Sequence, residues 1–227
     1  MKKLSFNDIE IVITERSDGS MSLTQSGSLG EEAKNILPKL NLKENEFACL
    51  KQTHSNKVVL AQAGGIFAGD GILSSKVKAV GIKSADCLPL MFSDGDYIGG
   101  LHVSRINLLN GIFDAFDQKI TKNKLSKKNI KVFFGPHIRR ENFNVYGRIL
   151  QSLESSRWRG FLQRQFDQAY FDLTAAAVDE LVRIGLKKDN VTDCQIDTYR
   201  SEDYFSNRQE PIAENVKTFF TIIKRNA

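Results

Sequence analysis

The segment from residue 47 to residue 103 constrains the fold most, because it is a succession of short apolar runs separated by polar or glycine-containing turns. Runs of this length are typical of buried β-strands and are too short for most helices. One separator, Ser93-Asp94-Gly95-Asp96, has the composition of a tight turn. The segment therefore predicts sheet structure, with strands near residues 58–60, 71–73, 79–82, 88–92 and 97–101.

Segments with helical periodicity follow these strands. Apolar side chains in residues 108–120 recur on one helical face, and residues 173–184 form a second helical segment ended by Gly185. Residues 143–166 are also expected to be rich in helix. Strands and helices without a repeat or linker predict an α/β (mixed α+β) fold in a single domain over residues 1–227.

The N-terminal region predicts a hairpin followed by a short helix. Alternating isoleucines in residues 9–13 precede an Asp18-Gly19 turn, and residues 21–23 would return as the second strand. Ser28 and Glu31 have the spacing of a capping box, which predicts a helix that ends near Pro38.

Composition excludes several classes of protein. A hydrophobic fraction of 41% is ample for a packed core at 227 residues, and three cysteines without a CxxC pair argue against a disulfide framework. No apolar run approaches the roughly 20 residues of a membrane helix, and no apolar segment follows the basic N-terminus. A cytoplasmic protein with no membrane partner is expected.

The net charge of +5 invites a nucleic-acid interpretation, but the excess is local. Residues 119–140 hold eight lysines and arginines and no acidic residue. No aromatic residue interrupts this stretch before Phe133, so a platform for stacking single strands is not indicated. We expect residues 119–128 to form a solvated helix end and loop, and we expect no nucleic-acid partner.

Three residues that stand where strands meet turns could carry chemistry. His54 follows the first apolar run, Cys87 lies between two later runs, and His102 ends the last. Two imidazoles and a thiolate suit a zinc site with an open fourth position. His54 and Cys87 are 33 residues apart and Cys87 and His102 are 15 residues apart, which is not a spacing typical of metal ligands. Two other interpretations therefore remain open. The three residues could be a buried thiol and two hydrogen-bonded histidines, or Cys87 could be a nucleophile with a histidine as its base. His137 is expected to lie in a loop.

The ordered motifs resemble the YfiH family, also called the laccase-domain or multicopper polyphenol oxidoreductase family. The resemblance rests on Gln52-Thr53-His54, Gly69-Asp70-Gly71, Ala85-Asp86-Cys87-Leu88-Pro89, Leu101-His102, Gly135-Pro136 and Phe205-Ser206-Asn207-Arg208. These elements occur in the order of the family and span nearly the whole chain.

The resemblance implies a single-domain layered β-sheet sandwich flanked by helices, with its site in a surface cleft. His54, Cys87 and His102 would jointly bind one metal, zinc in most cases and copper in some. The implied activity is that of a purine nucleoside phosphorylase with adenosine deaminase activity, whose partners are a nucleoside and phosphate. Some bacterial members are instead described as peptidoglycan-precursor editing hydrolases.

This chain departs from the family where arginines are expected. Where the family has H-x-G-W-R-G, this chain has His102-Val103-Ser104-Arg105-Ile106-Asn107. Where the family has F-S-x-R-R, the last two positions here are Arg208 and Gln209. The family's terminal T-G-R element has no match in residues 211–216. Because phosphate needs several aligned donors, these departures count against phosphorolysis more than against metal binding. A degenerate, non-catalytic member therefore remains an alternative.

The remaining candidates surround the expected metal ligands. Asp86 and Asp70 are candidates for a supporting carboxylate or a proton carrier, and Asp70 beside Gly71 could equally be a turn residue. Residues expected to contact sugar, base or phosphate are Gln52, Arg16, Arg105 and Arg208. The alternative hydrolase would use Cys87 as nucleophile on a cell-wall precursor amide.

Overall fold

The computed structural model describes residues 1–6, 9–210 and 216–226, which form fifteen strands and five α-helices. The strands are β1 (Lys2–Phe6), β2 (Ile9–Ile13), β3 (Phe47–Lys51), β4 (Val58–Leu60), β5 (Gly65–Ala68), β6 (Gly71–Ser74), β7 (Ala79–Ser84), β8 (Leu88–Ser93), β9 (Ile98–Val103), β10 (Lys131–Phe134), β11 (Asn144–Val145), β12 (Leu162–Gln165), β13 (Gln168–Phe171), β14 (Val191–Asp193) and β15 (Phe219–Arg225). The helices are α1 (Glu31–Lys39), α2 (Arg105–Leu109), α3 (Ile112–Lys122), α4 (Gly147–Glu154) and α5 (Leu173–Arg183).

Two six-stranded sheets pack face to face, in the orders β1-β2-β15-β7-β3-β5 and β14-β10-β8-β9-β6-β4. Ile11 and Ile82 of the first sheet meet Ile72 and Met91 of the second in a buried apolar layer. Helix α1 covers the outer face of the first sheet, and α3 and α5 cover the outer face of the second. A small sheet, β11-β13-β12, completes the fold. The predicted layered sandwich flanked by helices is confirmed.

Strand pairing brings three distant chain segments to one edge. β3 and β7 are parallel, so the loop that follows β3 and the connection that follows β7 leave the first sheet at the same end. β8 and β9 are antiparallel, with Leu88 opposite Val103 and Pro89 opposite His102. The start of β8 and the end of β9 are therefore adjacent, which places residue 87 close to residue 102.

The predicted hairpin between residues 9–13 and 21–23 is wrong. β2 lies between β1 and β15 and is antiparallel to both, and Arg16–Asp18 forms a 3-10 turn instead of a hairpin loop. A strand in the middle of a sheet needs a partner on each side to satisfy its backbone groups. The second partner comes from the far end of the chain, which local periodicity does not encode.

The predicted helices are present with different bounds. Residues 108–120 divide between α2 and α3, because Gly111 has a φ of +80° and interrupts the helical path. Helix α1 starts after Gly30, which has no side-chain cap, so the Ser28 capping box is wrong. Residues 143–166 hold only α4 and the 3-10 turn Arg157–Phe161 as helix, with strands on either side.

Residues 119–128 of the basic stretch form a helix end and a loop, as expected, whereas Lys131 lies in β10. Lys119 and Lys122 lie in the last turn of α3, Lys124 and Lys128 are exposed, and Lys127 forms an ion pair with Asp117. Among the helices of the described residues, none is both long and apolar enough to cross a membrane.

His137, expected in a loop, follows β10 and is fully buried. Its Nδ1–H donates to the carbonyl of Gly135 and its Nε2 accepts from the hydroxyl of Thr174, both at 2.8 Å. Burial, and then the positive charge of Arg139, lower the pKa of His137 to about 4. The imidazole is therefore a neutral structural group at physiological pH.

We expect this histidine to make the fold sensitive to mild acid. The unfolded chain binds a proton at His137 below about pH 6.5, whereas the folded chain binds it only near the pKa of about 4. Stability should therefore fall by about 3 kcal/mol as the pH decreases through this window. Urea unfolding of a His137→Gln variant should show a shallower fall, and equal slopes in the two proteins would contradict a neutral buried imidazole.

Candidate metal centre

His54, Cys87 and His102 lie together at the sheet edge described above. One ring nitrogen of each histidine and the sulfur of Cys87 all lie within 4.8 Å of one another. The two imidazole rings meet edge to face, with centroids 5.0 Å apart. Nitrogen and sulfur atoms that share a tetrahedral zinc ion at about 2.0–2.3 Å are about 3.3–3.6 Å apart, so the three atoms would need to approach one another by up to about 1 Å. Small rotamer changes would therefore suffice for joint coordination.

The turn that carries His54 is held by a buried carboxylate. Asp70 is fully buried and accepts hydrogen bonds from the backbone N–H groups of Thr53, His54 and Ser55 at 3.1, 3.1 and 2.7 Å. His54 has a φ of +55°, a conformation that residues other than glycine rarely adopt. The carboxylate thus stabilises a strained turn that presents the imidazole.

The same carboxylate orients the second histidine. His102 Nδ1 lies 2.8 Å from the Asp70 carboxylate, so its proton is donated there and Nε2 is left for a metal or for Cys87. Burial raises the pKa of Asp70, but the hydrogen bonds from His102 and Ser55 outweigh it and hold that pKa well below its usual range. Asp70 is therefore an anion that contacts both the turn carrying His54 and the ring of His102.

The thiol of Cys87 is unusually acidic. Burial alone raises its pKa, but the nearby charge of His102 and hydrogen bonds from His102 and His54 lower the pKa to about 6. In the same way, burial lowers the pKa of His102, while Cys87 and Asp70 raise it to about 9. A thiolate between two imidazoles is the form that binds a soft or borderline metal.

Asp86 lies on the other side of Cys87 and is also buried. Its carboxylate accepts hydrogen bonds from the Thr198 hydroxyl at 2.7 Å and the Arg208 backbone N–H at 2.8 Å. Burial nevertheless raises the pKa of Asp86. Its φ of +100° is a second strained position beside the metal-ligating group.

A cleft of about 160 Å³, here called the metal-site cleft, opens onto this group. Arg105, the first residue of α2, lines it together with Ile106, Phe143 and Arg208. The guanidinium carbons of Arg105 and Arg208 lie 5.7 and 5.5 Å from the ring centre of Phe143. The cleft therefore combines apolar walls, two cations and the candidate metal ligands His54 and Cys87.

The two guanidinium groups have few partners of their own. The Nε atom of Arg105 is buried without a hydrogen-bond partner among the described residues. Burial, and then the charge of Arg208, lower the pKa of Arg105. Arg208 donates to the side chain and, at 2.8 Å, to the carbonyl of Asn144, neither of which is charged. Both cations are suited to receive an anion.

Two other sequence candidates lie outside this cleft. Arg16 pairs with Glu210 at 2.7 Å and donates to backbone carbonyls, and the Gln52 amide is bonded to the backbone of Lys83. Residues 211–215, where the T-G-R element has no match, lie outside the described residues. A larger surface cleft of about 420 Å³ contains none of the predicted site residues.

Two residues of the site were missed at the sequence level. Asn107 is fully buried, accepts from the Ser104 N–H at 2.7 Å and donates to the carbonyl of His102. The spacing of Ser104 and Asn107, which form a capping box, could have indicated it. Phe143, the wall between the arginines, carries no comparable signal.

Comparisons with known proteins identify relatives of this chain. The sequence profile of a family described as multi-copper polyphenol oxidoreductase laccase matches residues 25–218. The purine nucleoside phosphorylase of Rickettsia conorii is 28% identical over 189 residues, 77% of each chain. That of Deinococcus radiodurans is 23% identical over 151 residues, 65% of this chain and 60% of the relative.

Solved structures show the same fold. A Bacillus licheniformis hypothetical protein, YfiH, has a TM-score of 0.81 at 16% identity over 97% of this chain and 94% of its own. YlmD from Geobacillus stearothermophilus has a TM-score of 0.80 at 17% identity over 96% and 92%. Since the profile covers well over half of the sequence, the chain belongs to the multi-copper polyphenol oxidoreductase laccase family, as its ordered motifs predicted.

Proposed function

We propose that this protein is a metal-dependent purine nucleoside phosphorylase. One observation carries the proposal: the His–Cys–His group and two guanidinium groups, which have no carboxylate partner in the part of the chain that the structure describes, share one cleft. The names of the two relatives support the same class of reaction.

His54, Cys87 and His102 would hold the metal. Zinc is the first choice, and copper the second, because two imidazoles and a thiolate match the ligand preferences of both. Bound there, the metal would supply Lewis-acid polarisation and activation of water. The lowered pKa of Cys87, about 6, favours binding near neutral pH, since the ligand must be a thiolate.

Arg105 and Arg208 would bind phosphate. Charge-assisted hydrogen bonds from guanidinium groups suit a phosphate dianion, and no carboxylate of the described residues forms an ion pair with either group. Ile106, at the position of the family's arginine, lines the same cleft as Arg105. A guanidinium from the preceding position can therefore serve the same cavity.

The reaction would then be a displacement at the ribose. A phosphate oxygen attacks the anomeric carbon, the bond from that carbon to the base nitrogen breaks, and the base leaves with the electron pair. Asp86 is the candidate proton donor to the leaving base, because burial raises its pKa. The products are the free base and ribose 1-phosphate.

Phosphate dependence tests this proposal directly. Metal-loaded protein is expected to release hypoxanthine from inosine only when phosphate is present. Arg105→Met should slow this by about 10- to 100-fold, the effect of one charge-assisted contact of about 1.5–3 kcal/mol. Deamination of adenosine, the second expected activity, needs no phosphate and should change much less.

A matched control is Arg148→Met, which removes an exposed arginine of α4. It should leave phosphorolysis and metal content unchanged. Equal rates of inosine cleavage with and without phosphate, or no cleavage of any purine nucleoside by metal-loaded protein, would overturn the proposal.

One observation favours a second candidate, a cysteine hydrolase acting on a peptidoglycan precursor. Cys87, His102 and Asp70 are also arranged as nucleophile, base and orienting carboxylate, with His102 hydrogen-bonded to Asp70 and a ring nitrogen within 4.8 Å of the Cys87 sulfur. Amide hydrolysis of a muropeptide by chelator-treated protein, without nucleoside cleavage by the metal-loaded form, would favour this candidate.

A further inference from the structure

A second cleft lies on the outer face of the first sheet, close to the strand ends that lead to the metal centre. Its volume is about 310 Å³. Lys51 and Gln52 at the end of β3, Lys83 in β7 and Thr218 before β15 line it, together with part of the loop that follows β2. We call it the lysine cleft. Among the described residues that line it, none is acidic.

Lys83 lines this cleft and has no counter-ion among the described residues. The residue is half-buried, and in residues 1–6, 9–210 and 216–226 no carboxylate forms an ion pair with its ammonium group. Burial lowers the pKa of Lys83, and the neighbouring Cys49 is a neutral thiol because burial raises its own pKa to about 12. Desolvating a cation without a paired anion is costly, so a bound anion would stabilise the Lys83 ammonium group.

The position of Lys83 is nevertheless well determined. Gln52 donates to the Lys83 carbonyl at 2.8 Å and accepts from its N–H at 3.0 Å. On the other side, Lys83 is paired with Phe220 of β15. Sites built on rigid strands hold their groups more accurately than sites on loops, so the ammonium group extends from a well-anchored backbone.

Two further groups complete the lining. Lys51 is exposed on the rim and adds a second positive charge that no described carboxylate pairs with. The hydroxyl of Thr218 is buried and has no hydrogen-bond partner among the described residues. Buried polar groups in native proteins are usually satisfied, so the unpaired Thr218 hydroxyl is a second unsatisfied group among the residues that line the cleft.

We propose that the lysine cleft binds a phosphate group, at a site separate from the metal-site cleft. Two ammonium charges, with no acidic residue among the described residues of the lining, match a phosphate dianion. Its oxygens can accept from both ammonium groups and from the Thr218 hydroxyl. The chemical class of the ligand is inorganic phosphate or a phosphate monoester. This assignment does not depend on the reaction at the metal centre.

The test uses inorganic phosphate and the metal-loaded full chain. The background is the double variant Arg105→Met, Arg208→Met, in which phosphate no longer has its guanidinium partners in the metal-site cleft. Calorimetry should still detect about one phosphate per chain in this variant. At about ten times the dissociation constant, the Tm should rise by about 3–6 °C relative to sodium chloride of equal ionic strength.

Adding Lys83→Met to this background should weaken phosphate binding by at least about tenfold, the loss of one charge-assisted contact. The matched control, Lys76→Met, removes an exposed lysine of the β6–β7 turn and should leave the affinity unchanged. In phosphate-free buffer, Lys83→Met should not lower the Tm, because methionine keeps the apolar stem and removes a desolvated charge.

If Lys83→Met does not fold, Lys51→Met provides the second variant, with a smaller expected loss of affinity. Two results would overturn the proposal: no response of the double variant to phosphate beyond that to sodium chloride, or equal weakening by Lys83→Met and Lys76→Met. Equal weakening by the two variants would mean that phosphate affinity depends only on the overall positive charge of the protein.

Discussion

Replacing Cys87 with alanine is expected to abolish stoichiometric metal binding and, with it, nucleoside cleavage. The substitution removes the anionic ligand and leaves two neutral imidazoles. Loss of a mere supporting hydrogen bond lowers metal affinity by roughly 10- to 100-fold, so loss of a direct thiolate ligand should exceed this range. Metal content per chain, measured by mass spectrometry after dialysis against a zinc buffer, is the readout.

Cys194→Ala is the matched control for this variant. Cys194 is a half-buried free thiol, and burial raises its pKa to about 11, so it is not a thiolate ligand at neutral pH. Its variant should bind metal as the wild type does. Equal metal content in Cys87→Ala and wild-type protein would contradict the His–Cys–His assignment.

Replacing Asp70 with alanine is expected to cause the largest loss of stability, about 3–5 kcal/mol, typical of breaking a buried charged network. The buried carboxylate accepts from three backbone N–H groups in residues 53–55, from the Ser55 hydroxyl and from His102. Alanine leaves these donors without an acceptor. Urea unfolding of metal-free protein separates this effect from the metal.

The metal-loaded Asp70→Ala protein should also lose roughly 10- to 100-fold in zinc affinity, because His102 is no longer oriented. Asp189→Asn, on an exposed 3-10 turn, is the control for removing a carboxylate. A change in unfolding free energy no larger than in this control would show that the network does not support the fold.

The stability of the wild-type protein should depend on pH through the same carboxylate, Asp70. The folded-state pKa of Asp70 lies well below the unfolded value of about 3.9. Its contribution to stability is therefore complete above about pH 4 and is lost progressively as the pH falls below that value. Asp70→Ala should flatten this acid limb of the stability curve.

Local sequence patterns determined much of the fold. The short apolar runs from residue 58 to residue 101 correspond to β4, β6, β7, β8 and β9, and the periodic segment at 173–184 corresponds to α5. Such elements follow from side-chain periodicity, which is a property of neighbouring residues. The order of the motifs was sufficient to indicate the family.

Tertiary structure alone decided which of the predicted residues meet. His54, Cys87 and His102 converge because β3 is parallel to β7 and β8 is antiparallel to β9. Arg105 lines the cleft whereas Arg16 does not, a distinction that residue type cannot make. These outcomes depend on pairings between segments that are distant in the chain, including β15 beside β2. Periodicity reports which face of a strand is buried, but the partner of that strand is set by the packing of the whole chain.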